Sequence, residues 1–183
     1  RHSPSKRVIV SWTGAFHGRT MGAQLAGGNP SQKEWIGPVD AGFCQLPFPF
    51  CQRCPYGRPG YEGCGAECFS RGMGELRERG VAPEHIAGFL LESYQGWGAL
   101  FYPSDYVRAV RRWADEHDAL VVFDEVQSGY GRTGTFFAYE HYGVEADLVC
   151  CGKGMTGSLP MSAVLGRAEV LDLPEPGAMS STH

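Results

Sequence analysis

Three residues at the downstream ends of apolar runs carry groups that could do chemistry. Lys153 follows Leu148-Val149-Cys150-Cys151-Gly152, Asp124 follows Val121-Val122-Phe123, and Phe16 lies just past Val8-Ile9-Val10-Ser11-Trp12. A lysine held in an apolar site has a lowered pKa and acts as an amine nucleophile. A carboxylate in such a place is costly unless it meets a cation or hydrogen-bond donors. An aromatic face can carry a flat ligand ring. Each residue also has a plain structural alternative. Lys153 could reach solvent past a sheet edge, and Asp124 could cap a helix or make a structural ion pair. Phe16 could be core, and the adjacent His17 a hydrogen-bonded structural residue. Lysine is scarce, with only Lys6, Lys33 and Lys153 against thirteen arginines, which makes a role for one lysine easy to test.

The elements that must position these groups follow from the hydrophobic pattern. Residues 8–12 read as a strand, and a helix is expected from about 19 to 26. Residues 27–70 are rich in Gly, Pro and Cys and read as loop, with a short helix from about 71 to 79. Residues 86–91, 119–123, 148–151 and 162–165 form compact apolar runs, the signature of strands covered on both faces. Between them, Tyr106, Val107, Val110, Trp113 and Ala114 make one apolar stripe of a helix with Ser104, after Pro103, as its expected N-cap. Arg111 with Asp115, and Arg112 with Glu116, are spaced for i,i+4 pairs on its outer face. Buried strands joined by helices favour an α/β fold with a mostly parallel sheet between helices. In such sheets, ligands sit beyond the carboxyl ends of the strands, where Phe16, Asp124 and Lys153 fall.

Composition narrows the function classes. The chain has 183 residues, 43% of them hydrophobic, and a net charge of −4, so it lacks the basic footprint of a nucleic-acid binder. No apolar run is long enough to span a membrane, and no signal peptide opens the chain. The start at Arg1 and the stop at Ser-Thr-His suggest an internal piece of a longer protein.

A lysine, a carboxylate and an aromatic face together suit pyridoxal phosphate (PLP), which needs an amine, an acidic partner for its pyridinium nitrogen and a surface for its ring. The segment Asp124-Glu125-Val126-Gln127-Ser128-Gly129-Tyr130-Gly131-Arg132-Thr133-Gly134 closely resembles the signature of class III aminotransferases. Gly152-Lys153-Gly154 downstream and Phe16-His17-Gly18-Arg19-Thr20 upstream extend the resemblance over nearly the whole chain. It implies a fold-type-I PLP-dependent transferase. Residues 1–183 would be the central part of its PLP-binding large domain, with a Cys/Pro/Gly-rich insertion at about 43–70. The N-terminal segment and the C-terminal small domain would lie outside the chain. The resemblance further implies Lys153 as the Schiff-base lysine and proton shuttle, and Asp124 as the partner of the ring nitrogen. Val126 and Phe16 would pack on opposite ring faces, Gln127 would approach the ring hydroxyl, and Glu92 and His17 would lie at the cofactor site. Thr182 would reach the cofactor phosphate of a neighbouring subunit, which implies a homodimer.

The implied activity is transamination from an amino acid or amine to a keto acid or aldehyde by a ping-pong Schiff-base route. An amino-acid racemase or a decarboxylating transaminase is the alternative on the same scaffold. Where the family carries Glu-Pro-x-Gln-Gly-Glu-Gly, this chain has Glu92-Ser93-Tyr94-Gln95-Gly96-Trp97-Gly98. Trp97 thus replaces a glutamate that pairs with an arginine in ω-amino-acid members, which implies a bulkier or less acidic donor. Cys51, Cys54, Cys64 and Cys68 approach a four-thiolate zinc spacing. The family chemistry requires no metal, so reduced thiols are the first expectation and structural zinc the second. A non-catalytic, Cys-rich, metal-stabilised interaction module is the remote alternative. The expected compartment is the reducing cytoplasm, with neither a nucleic-acid nor a membrane partner.

Overall fold

The computed structural model describes residues 3–37, 42–57, 64–175 and 177–178. In chain order the elements are β1 (Val8–Trp12), α1 (Met21–Ala26), β2 (Phe43–Leu46), α2 (Gly65–Glu78), β3 (Ile86–Glu92), β4 (Tyr94–Gln95), β5 (Leu100–Phe101), α3 (Ser104–Glu116), β6 (Leu120–Asp124), β7 (Leu148–Cys151), β8 (Ala163–Gly166) and α4 (Ala168–Leu171). Six strands form one sheet in the order β2-β1-β3-β6-β7-β8. All neighbours in it are parallel except β7 and β8. The small strands β4 and β5 form a separate antiparallel hairpin.

One face of the sheet is covered by α2 and α3. Val10 and Trp12 of β1, Phe89 and Leu91 of β3, and Val121 and Phe123 of β6 are buried there with Phe69 and Leu76 of α2. The α3 stripe of Tyr106, Val107, Val110 and Ala114 closes the layer. Each such side chain contributes about 1.5–3 kcal/mol by leaving water. The indole Nε1 of the fully buried Trp12 donates to Tyr106 Oη at 2.8 Å, so the one polar atom of that ring is satisfied.

Asp147, just before β7, joins the layers. It is 1% exposed, accepts from the backbone N–H of Val121 at 2.8 Å, and pairs with Arg111 at 2.6 Å and Arg167 at 3.2 Å. A buried carboxylate needs such partners. These partners fix the start of β7 against β6 and α3, and Lys153 follows two residues past the far end of β7. The expected Arg111–Asp115 pair is present at 2.7 Å, while the same guanidinium also reaches inward to Asp147.

Three sequence expectations change. The 27–70 stretch is not all loop: β2 lies within it, parallel to β1, and α2 begins at Gly65 rather than near 71. Asp105, at the start of α3, accepts the Gly65 N–H at 2.8 Å, a partner forty positions away that local pattern does not reveal. The helix at residues 104–116 has Pro103 rather than Ser104 in the N-cap position. The strand at 163–166 is not buried on both faces. It is an antiparallel edge strand, and Val164 and Leu165 are 51% and 45% exposed because the described residues place no layer over them.

Candidate active site

The parallel register aligns the strand ends. Glu92 of β3 pairs in register with Asp124 of β6, and Asp124 with Cys150 of β7. A glutamate, an aspartate and a cysteine therefore stand in one row across the carboxyl edge of the sheet. Lys153 follows three residues past Cys150, with φ +43°. A left-handed lysine is uncommon, and residues in such conformations cluster at functional sites.

Asp124 is held from two sides. His17 Nδ1–H donates to Asp124 Oδ2 at 2.9 Å, and the Val126 N–H donates to Oδ1 at 3.1 Å. The side chains of His17 and Asp124 are 2% and 12% exposed. His17 Nε2 is buried and has no hydrogen-bond partner. Burial pushes the neighbouring Cys150 thiol up to about 11, helped by the Asp124 carboxylate and Cys151. Cys150 is therefore a neutral thiol near pH 7, consistent with a small core hydrophobe.

Glu92 acts as a clamp. It is 6% exposed; Oε1 accepts the Phe16 N–H at 2.9 Å and Oε2 accepts the Gly96 N–H at 3.0 Å. One carboxylate thus ties the exit of β1 to the β4–β5 hairpin. Burial pushes this carboxyl above its ordinary value. The Phe16 and Gly96 N–H groups and then His17 pull it back, while Asp124 adds to the rise. Further ties hold the β1 exit. Gln95 Nε2 donates to Thr13 O at 2.9 Å, and Gly28 exchanges backbone hydrogen bonds with Gly14 and Ala15.

The expected site residues fall into two cavities. Phe16, Glu92, Gln127 and Lys153 line a cleft of about 700 Å³ together with Trp97 and Asn29. His17, Asp124, Val126 and Cys150 line a cavity of about 380 Å³ on the sheet face that also carries α1. Chain neighbours Phe16–His17 and Val126–Gln127 are divided between the two cavities, which places both at one edge of the sheet. Phe16 is 41% exposed, with the Arg19 guanidinium 5.5 Å from its ring centroid. Thr182 lies outside the described residues.

These groups fit PLP. The lysine and the carboxylate follow adjacent strands, β7 and β6, the exposed aromatic ring follows β1 along the same sheet edge, and the orphaned His17 Nε2 leaves a buried polar atom in want of a partner. The cysteines give a different result. Cys51, Cys54, Cys64 and Cys68 are free of disulfides and line one small void. Burial pushes the Cys68 thiol up to about 12, with Cys54, Cys64 and Cys51 adding to the effect. Among the described residues, no group of three or more His, Cys, Asp or Glu is arranged to hold a metal.

Sequence reasoning missed Glu125. It is fully buried and accepts from Ser93 Oγ at 2.5 Å, Ser128 Oγ at 2.6 Å, Ala138 N at 3.1 Å and Tyr139 N at 2.8 Å. It joins the turn after Glu92, the turn after Asp124 and residues 138–139. Two acidic residues in succession at a strand exit, with a serine three positions on, were the available signal.

The family model for class-III aminotransferases matches residues 1–183. The chain belongs to the class-III aminotransferase family. A leucine/methionine racemase from Thermococcus litoralis is 37% identical over 91% of the chain and 38% of its own length. A diaminobutyrate–2-oxoglutarate aminotransferase from Rhizobium meliloti is 38% identical over 95% of the chain and 37% of its own length. Among solved structures, an amine transaminase from an uncultivated Pseudomonas species, in a PLP-bound form, superposes with a TM-score of 0.83 at 30% identity, over 92% of the chain and 38% of that protein. An (S)-enantioselective ω-transaminase from Thermomicrobium roseum gives 0.81 at 33% identity, over 92% and 37%. The fold is therefore that of the fold-type-I PLP transaminases. The class-III chain described here spans about two fifths of the length of these relatives.

Proposed function

We propose that the full-length protein is a PLP-dependent transaminase that moves an amino group from an amino acid or amine to a keto acid or aldehyde. The observation that carries this reading is the row Glu92–Asp124–Cys150 with Lys153 just beyond it. An amine and a hydrogen-bonded carboxylate thus follow two adjacent parallel strands, β7 and β6. PLP supplies an electron-accepting ring that stabilises negative charge developing at the donor's α-carbon.

The chain's own residues do the rest. Lys153 Nζ would hold the cofactor at its carbonyl carbon and, once the donor's amine displaced it there, would be free to take and return the proton at the donor's α-carbon. Asp124 would accept a hydrogen bond from the ring nitrogen and so favour a proton there. His17, bonded to Asp124 Oδ2, holds that carboxylate in orientation. Phe16 and Val126 would bound the ring, and Gln127 would approach its hydroxyl. Glu92 is a positioning residue, since both its oxygens are occupied by backbone donors. Thr182 would serve the phosphate across a homodimer interface. A cytoplasmic location is supported by seven cysteines, none of them in a disulfide.

The decisive experiment incubates full-length protein with PLP, reduces it with borohydride and maps the modified peptide by mass spectrometry. A pyridoxyl adduct on the peptide containing Lys153 is expected; a folded protein unlabelled there sinks the reading. Asp124→Asn should keep the adduct but slow amino transfer about 10²–10³-fold, because control of one proton contributes about that much. Steady-state rates on a fixed donor check this.

The racemase among the relatives supports one second reading, amino-acid racemisation on the same residues. Product analysis separates the two: a keto acid means amino transfer, and an inverted amino acid means racemisation.

A further inference from the structure

We propose that Trp97 is the specificity-determining wall of the cleft, and that the amino donor it admits carries an aromatic or large apolar side chain. The inference rests on the amino-transfer reading and concerns what occupies that same cleft. Trp97 is 71% exposed, yet its position is set from three directions. Glu92 Oε2 fixes the N–H of the preceding Gly96 at 3.0 Å. The indole Nε1 donates to Gln95 Oε1 at 3.2 Å. Beneath it lies Gly14, with φ +81°, where an added Cβ would stand 2.9 Å from Gln95 Oε1 and 3.0 Å from Trp97 Nε1. Only glycine leaves room there for the indole edge, so the β1 exit is shaped to receive it. A large aromatic held in place but left to solvent, on the rim of a cavity, marks a ligand contact.

The charges lining the cleft favour the same donor. Its described lining holds one cation, Lys153, and one carboxylate, Glu92. The lysine is committed to chemistry, and both oxygens of Glu92 are taken by backbone donors. The described lining therefore presents an indole, and no uncommitted charge, to the far end of a donor. Among the described lining residues a buried carboxylate or ammonium on that end would find no uncommitted partner, whereas an aromatic or branched chain would gain contact with the indole.

The test uses the full-length, PLP-loaded protein and two carboxylates that lack an amine and cannot react, 3-phenylpropanoate and glutarate. Calorimetric titration gives their affinities for wild type, W97A and W97F, with melting curves to show that each variant is folded. Wild type should bind 3-phenylpropanoate more tightly than glutarate. W97A should weaken 3-phenylpropanoate about tenfold, as expected for losing an aromatic contact and its area. It should leave glutarate within about twofold, and W97F should recover most of the loss. The proposal is overturned if wild type binds neither ligand or prefers glutarate, or if W97A costs 3-phenylpropanoate less than about threefold. It also fails if W97F is no better than W97A. A protein that shows the expected binding pattern but transfers no amino group from any donor keeps the wall and loses the transamination reading, so the two failures are distinguishable.

Discussion

Full-length protein carrying Lys153→Ala is expected to lose amino transfer by at least about 10³-fold and to form no pyridoxyl adduct on borohydride reduction. The loss removes both a nucleophilic amine and the group that moves the α-proton, and proton transfer alone accounts for about 10²–10⁴ in rate. Thermal stability should change little, because Lys153 is exposed and sits in the left-handed region at φ +43°. Lys153→Gly should melt at or above the wild-type temperature, since glycine adopts that conformation without steric cost. Single-turnover amino transfer and differential scanning fluorimetry on the two variants check both halves. Retained turnover in Lys153→Ala would remove this lysine from the chemistry; the other two lysines of the chain, Lys6 and Lys33, do not follow a strand at this edge.

The second large effect is on stability. Glu125→Ala should cost about 3–5 kcal/mol, read as a lowered denaturation midpoint with an unchanged slope. Removing this carboxylate leaves two hydroxyls and two backbone N–H groups without their acceptor in a fully buried place. Each such orphan costs about 1–3 kcal/mol, and the sum is reduced by relaxation and water entry. Glu125→Gln should cost less, since its amide oxygen still accepts while its NH₂ faces donors. Any activity loss in Glu125→Gln should appear with the structural loss, because this residue touches neither cavity. Glu125 instead holds Ser93, next to the Glu92 clamp, and Ser128, next to Gln127. An unchanged midpoint in Glu125→Ala would show that water replaces the carboxylate at little cost.

The strands and the α3 helix were legible in the sequence because their signals are local. Apolar runs at 86–91 and 119–123, and the 3.6-residue stripe of 106–114, report which consecutive residues are covered. Lys153 and Asp124 were legible for the same reason: each is the first charged group after such a run, within a contiguous signature. Other features needed the folded chain. Strand β2 has only four residues, Phe43–Leu46, and its pairing with β1 crosses more than thirty positions of Gly- and Pro-rich sequence. The first turn of α2 depends on Asp105, a distant acceptor. The exposure of β8 depends on what lies beside it, which composition does not state.

The site divides along the same line. By itself, the sequence determined the class-III signature, the amine and the carboxylate, because covalent order places each at the end of its own strand. Tertiary structure decided that Glu92, Asp124 and Cys150 share a row and that His17 holds Asp124. It also decided that Glu125 gathers four donors and that Trp97 rests over Gly14 at the cleft. These arrangements depend on parallel register and on hydrogen bonds between segments far apart in the chain. Local periodicity carries no record of them, because it reports which side of an element a residue faces and not what waits on that side.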